Sequence, residues 1–236
     1  MNNKVLNSSF FIFAYGGFLG SLFFLCFFGT NILDFTYTDW LMTGGDLSPH
    51  YLGWRFFRNS SWYFPFGLID NIVYPFKVSV IYTDSIPLFA VFFKLLSPIL
   101  PENFQYFGLF GIMCYALQGG IGALIIKKIG GNTGQSITGS LFFTFSTVMI
   151  WRLYIHTSLA AHFIILLCIL VYLQYDTYSF KKQIFSWAWL LALSVSIHLY
   201  FVPMVMIFMF FCLLQKCVLT KNYRNQCIVF GVSLFV

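Results

Sequence analysis

Asp46, in Gly44-Gly45-Asp46-Leu47-Ser48-Pro49, is a carboxylate beside a turn that two glycines permit. Such a group can act as a general base or a ligand. The simpler alternative is that it favours the N-terminus of the following helix through the helix dipole. Six of the seven acidic residues (Asp34, Asp39, Asp46, Asp70, Asp84 and Glu102) fall between residues 31 and 103. Asp34 and Asp39 also read as solvated loop residues, and Asp84, in Tyr82-Thr83-Asp84-Ser85-Ile86-Pro87, reads equally as a cap. Arg152 and His156 share a face if their helix continues, a pair suited to a phosphate, although Arg152 alone also suits a headgroup anchor. His50 and Trp54, one turn apart, fit a ligand contact or an interfacial anchor. His162 and His198 fit either satisfied interior histidines or ligands. The signatures HExxH, GxSxG, Walker and Rossmann are missing, so the chemistries they carry have no support.

The elements that must hold these residues are membrane helices. In 236 residues 59% are hydrophobic and 8% charged, against about 25% charged in soluble domains. A water-facing surface cannot be clothed on that supply. The basic residues are singles and pairs between apolar runs, which fits membrane topology and not a nucleic-acid stripe. Six cysteines (Cys26, Cys114, Cys168, Cys212, Cys217, Cys227) show no CxxC spacing and read as small hydrophobes, with neither disulfides nor a metal knuckle.

Apolar runs place a first span at Phe10–Thr30, then Phe104–Ile126, Thr133–Ile150 and Thr157–Tyr175. Ile184–Gln215 is too long for one crossing, and His198-Leu199-Tyr200 with Pro203 marks a break into two limbs. A last run begins at Cys227 and is still apolar at Val236, as if the chain were cut inside a seventh helix of a longer protein. The expectation is an all-α integral membrane domain over 1–236 with about seven spans. Residues 31–103 form a long first loop, and 104–236 carry the remaining spans. In the loop, Ser48-Pro49 reads as a helix start and His50–Arg58 as a short interfacial helix. Ile86–Leu96 is too short to span.

Charge orients the map. With a cytoplasmic N-terminus, Lys4, Lys127, Lys128, Lys181, Lys182, Lys216, Lys221 and Arg224 all fall inside, as the positive-inside bias asks. The acids of the loop and the histidines then gather at the outer side. Span interiors are almost free of charge, which argues against ion-coupled transport.

The runs Asp46-Leu47-Ser48-Pro49-His50-Tyr51-Leu52-Gly53-Trp54-Arg55-Phe56-Phe57-Arg58 and Ser61-Trp62-Tyr63-Phe64-Pro65 resemble an uncharacterised bacterial family of multi-span membrane proteins. So do Tyr82–Leu88, Phe104–Gly108, Leu117-Gln118-Gly119, Trp151-Arg152-Leu153 with His156, and Leu159–His162. The layout is similar to that of GT-C glycosyltransferases, which carry an acidic catalytic residue in a long first outer loop. That resemblance implies a bacterial inner-membrane enzyme moving a sugar from a polyprenyl-phosphate carrier to an outer-face acceptor. It implies Asp46 as the catalytic aspartate, with Asp39 second. His50, Trp54, Arg55, Asp84, Arg152, His156 and His162 would line the substrate site. Asp84–Leu88 stands where some GT-C members carry His-Pro-Pro-Leu, but the His and first Pro are absent here. No Asp-x-Asp pair is present, so a metal is without support and no cofactor is expected. Membrane lipid and a lipid-linked sugar are the expected partners, and nucleic acid is not. A lipid or polymer transporter and a non-catalytic assembly subunit are the rival functions.

Overall fold

The computed structural model describes residues 8–235. Lys4, one of the basic residues assigned to the cytoplasmic side, lies outside them. Helix α1 (Ser9–Phe28) starts where the Ser8 hydroxyl accepts from the Phe11 N–H and stops at Gly29, φ 80°. It packs along α4 (Phe107–Lys128). Gly16 and Gly20 make this contact possible, because a Cβ on either would strike the backbone oxygens of Gly119 and Tyr115. Lipid supplies no hydrophobic drive for helix pairing, so small residues that let backbones approach carry it.

The same logic sorts α5 (Thr133–Thr144). Asn132 and Gln135 close a capping box at its start. Ser136, Ser140 and Thr144 then turn inward and are fully buried, while Phe142 is 84% exposed. Small polar groups inside and large apolar ones outside is the pattern of a helix bundle solvated by lipid. After a break at Phe145 and Ser146, α6 (Thr147–Ile155) runs on, followed by α7 (Phe163–Gln174), α8 (Phe180–Ile197), α9 (Phe201–Thr220) and α10 (Tyr223–Ser233). Helix α9 packs against α7, α8 and α10.

Among the described residues, four segments are long and apolar enough to cross a membrane: Ser9–Phe28, Phe107–Lys128, Thr157–Thr177 and Phe201–Thr220. This is fewer than the seven expected from hydropathy. The expected span Thr133–Ile150 divides at Ser146, whose hydroxyl accepts from the Met149 N–H and restarts the helix. Helix α8 is diluted by Lys181, Lys182, Gln183 and three serines, and α10 is only 11 residues long. The break expected at His198-Leu199-Tyr200 is present, between α8 and α9.

The all-α expectation also needs correction in the loop. Residues 31–103 contain an antiparallel hairpin of β1 (Leu68–Val73) and β2 (Phe76–Ser79). Two helices flank it, α2 (Leu47–Asn59) and α3 (Pro87–Leu95), the latter with Pro87 in its first turn. Helix α2 begins earlier than the Ser48-Pro49 signal suggests, and it is anchored firmly to the rest of the loop. The Trp54 indole N–H donates to the Phe104 carbonyl at 2.9 Å. The Arg58 guanidinium donates to four carbonyls, those of Ser97, Leu100, Pro101 and Glu102, at 2.7–3.1 Å. Lys94 is buried over the Phe57 and Trp62 rings and donates to the Ser61 carbonyl.

Candidate functional site

Four segments bring five ionisable side chains to one end of the bundle. Asp46 is at the N-cap position of α2 but caps nothing with its side chain. Instead Asp46 Oδ2 lies 3.0 Å from His156 Nε2, and His156 is the residue at which α6 ends. The carboxylate is about half exposed and the imidazole 29% exposed. One turn into α2, His50 is buried, and its ring centroid stands 5.8 Å from that of His156. His50 Nε2 faces Asp84 Oδ2 at 3.6 Å, too long for a hydrogen bond.

Asp84 is gripped from its other side. His198 Nε2 lies 2.9 Å from Asp84 Oδ1. The tautomer follows from the neighbouring bond: the Tyr200 backbone N–H donates to His198 Nδ1, so the proton on this ring sits on Nε2 and is given to Asp84. Burial by itself would raise the Asp84 pKa, but the His198 hydrogen bond and the two facing imidazoles outweigh it and hold the carboxyl far below the usual range. Asp84 is therefore a committed anion.

The chain bends sharply to present it. Asp84 and Ile86 both have left-handed backbones, φ 53° and 52°. For β-branched Ile86 that conformation is costly and needs external support. The support is visible. The Ser85 hydroxyl donates to the His50 carbonyl at 2.7 Å, and the buried Tyr106 hydroxyl donates to the Ser85 carbonyl. Gly53 of α2 sits against Thr83 and Ser85, where a Cβ would collide with both side chains.

Two ring nitrogens in this cluster are idle. His50 Nδ1 and His156 Nδ1 are buried with no hydrogen-bond partner among the described residues. One nitrogen of each ring and one Asp84 oxygen lie within 4.8 Å of one another, a grouping able to hold a metal ion. Chemically the cluster offers a half-exposed carboxylate oriented by an imidazole, an anchored second carboxylate, and free imidazole donors.

A conserved-domain description of unknown function, DUF6311, matches residues 17–236. The chain belongs to the DUF6311 family. No curated protein matches it, and no solved structure does. The family description names no reaction, so chemistry must be argued from this member's own side chains.

Of the residues singled out in the sequence of this DUF6311 member, Asp46, His50, Asp84 and His156 meet in the cluster. Asp39 is exposed and joins it through no hydrogen bond or ion pair among the described residues. Trp54 is a buried structural donor, and Arg55 bonds Tyr51, Asn103 and Glu102. The helix ends at Ile155, so Arg152 and His156 do not form the expected helical pair, and His156 turns to Asp46 instead. Arg152 and His162 are partly buried and make no side-chain ion pair among the described residues. The residue underrated from sequence is His198. Its signal was the helix break around it, which a buried histidine with a carboxylate partner explains.

The helices give the cluster a polarity. It lies at the N-terminal ends of α4 and α9 and the C-terminal end of α8. Lys127 and Lys128, Lys181 and Lys182, and Lys216 occupy the opposite ends of these same helices. A separate apolar groove of about 400 Å³, lined by Tyr172, Ile207, Phe208, Phe211, Cys212 and Gln215, lies on the α7–α9 face. Its lining holds no Asp, Glu, Lys, Arg or His side chain.

Proposed function

We propose that this chain is a membrane glycosyltransferase of GT-C-like layout. It moves a sugar from a polyprenyl-phosphate carrier to an acceptor at the outer face of the bacterial inner membrane. The observation that carries the reading is the Asp46–His156 pair, Oδ2 to Nε2 at 3.0 Å, at the bundle end opposite Lys127, Lys128, Lys181, Lys182 and Lys216. Asp46 keeps Oδ1 for an incoming hydroxyl while His156 orients the carboxylate, the geometry of a general base with a positioning partner. The acceptor oxygen attacks the anomeric carbon as Asp46 takes its proton, and the carrier phosphate leaves as the carbon–oxygen bond to it breaks.

The positive-inside bias favours the lysine ends on the cytoplasmic side and the cluster at the other face, where lipid-linked sugars present their heads. Apolar helix faces such as Phe142 and Phe211, 84% and 60% exposed, offer the carrier's tail an apolar surface on the bundle. The decisive experiment is sugar transfer in native membranes from a panel of radiolabelled polyprenyl-phosphate sugars, comparing the wild type with Asp46→Asn. The expected loss is about 10²–10⁴-fold. Undiminished transfer by a correctly inserted Asp46→Asn protein refutes the assignment.

A further inference from the structure

We infer that His50, Asp84 and His156 form a binding site for a divalent transition-metal ion, zinc being the type case. The inference stands on the cluster alone and does not require the transfer reaction. Its first support is spacing. Two ligands on a four-coordinate zinc, each about 2.0–2.2 Å from the ion, stand roughly 3.3–3.5 Å apart. His50 Nε2 and Asp84 Oδ2 are 3.6 Å apart, too far to share a proton well and close to the separation of two ligands on one ion. A ring nitrogen of His156 completes a group of three donors within 4.8 Å, so small rotations of the imidazoles close the site.

The second support is the unpartnered nitrogen. His50 is 2% exposed, yet its Nδ1 has no hydrogen-bond partner and its Nε2 has only the long contact to Asp84. A buried polar group left in that state costs about 1–3 kcal/mol unless something takes it up. An ion bound at Nε2, beside Asp84, gives that nitrogen the partner that the 3.6 Å contact does not supply.

The third support is the outer shell. Metal-bound histidines give their other nitrogen to a carboxylate, and bound carboxylates are themselves hydrogen-bonded. Here His156 has Nε2 held by Asp46 and Nδ1 free, while Asp84 has Oδ1 held by His198 and Oδ2 free. Both outer-shell partners are already in place. Two imidazoles and one carboxylate select zinc, iron or cobalt over magnesium and calcium, which prefer all-oxygen sites. Three protein ligands leave a coordination position open for water or for a phosphate oxygen.

The test uses the purified protein in detergent, stripped with a chelator and titrated with Zn²⁺, Co²⁺ and Mg²⁺ separately. One Zn²⁺ or Co²⁺ per chain is expected, with at least 100-fold weaker Mg²⁺ binding. His50→Gln and Asp84→Asn should abolish stoichiometric binding. His198→Gln should weaken it by about 10–100-fold as an outer-shell change, and Asp34→Asn, away from the cluster, should leave it unchanged. If the buried His50 variant does not fold, X-ray absorption on the Co²⁺-loaded wild type decides. Two imidazole ligands in four- or five-fold coordination support the site, and an all-oxygen octahedral shell overturns it. Failure of folded wild type to bind Zn²⁺ or Co²⁺ stoichiometrically also overturns it, as does wild-type affinity in folded His50→Gln and Asp84→Asn.

Discussion

Asp84 permits a perturbation that separates backbone from charge. Its φ of 53° is a conformation that asparagine tolerates and alanine does not. Asp84→Asn keeps the backbone and keeps a carbonyl for His198 Nε2–H, losing only the charged part of a bond at 2.9 Å. Charged hydrogen bonds contribute about 1.5–3 kcal/mol against about 1 for neutral ones. The difference is about 0.5–2 kcal/mol; with the carboxylate 32% exposed its lower half applies, and the asparagine variant should lose about 1 kcal/mol. Asp84→Ala adds about 1 kcal/mol of left-handed strain. It also strands the His198 N–H, 6% exposed, for at least about 1 kcal/mol more, giving about 3 kcal/mol in total. At roughly 2–4 °C per kcal/mol for a chain of this size, the apparent Tm should fall by about 2–4 °C for asparagine and about 6–12 °C for alanine. The assay is thermal unfolding in detergent with a thiol-reactive dye, reporting exposure of buried Cys114, Cys168 and Cys212, with EDTA present to keep metal out. Equal shifts for the two variants would refute the reasoning, as would an Asp84→Ala effect that simply adds to that of His198→Gln.

Three other changes follow from packing and hydrogen bonding. Gly20→Ala should destabilise by about 1–3 kcal/mol in the same dye assay, although alanine is the better helix former by about 1 kcal/mol, because its Cβ meets the Tyr115 carbonyl. Gly231→Ala is the counterpart in α10 with nothing within 4 Å, and should be neutral or stabilising. Arg58→Lys should cost about 1–2 kcal/mol locally, since one ammonium cannot reproduce the guanidinium fork across four carbonyls. Limited proteolysis between Ser97 and Asn103 should accelerate, and an unchanged cleavage rate would contradict the anchoring role.

The membrane character and the segregation of charge were legible in the sequence, because hydropathy and the lysine pattern are sums over many residues and survive local error. The break at His198-Leu199-Tyr200 was legible too, since the 32-residue run Ile184–Gln215 exceeds one bilayer crossing. The division at Ser146 was not. A serine cap inside an apolar run leaves mean hydropathy intact while ending one helix and starting another. The hairpin at 68–79 was hidden because Leu68–Val73 and Phe76–Ser79 are short and their turn, Tyr74-Pro75, reads as a loop. Within the site, Asp46 was visible through its glycine turn, but its pairing with His156 was not. Pairing depends on where α6 ends, and that end is one residue before His156. His198 shows the same limit: nothing in its local sequence says that a carboxylate more than a hundred positions earlier needs a donor.

That separation has a consequence for biogenesis. Asp84 leaves the ribosome long before His198 does. At synthesis rates of about 5–20 residues per second, the loop waits roughly 5–20 s for the histidine that grips it. Until then the bend at Asp84-Ser85-Ile86 has only Ser85, Tyr106 and α2 to hold it, and the charge of Asp84 is only partly compensated. The cluster is thus a late-closing clasp between the first long loop and the helix break that follows α8. Nascent chains stalled before His198 should keep protease-sensitive loops, and those stalled well after it should not.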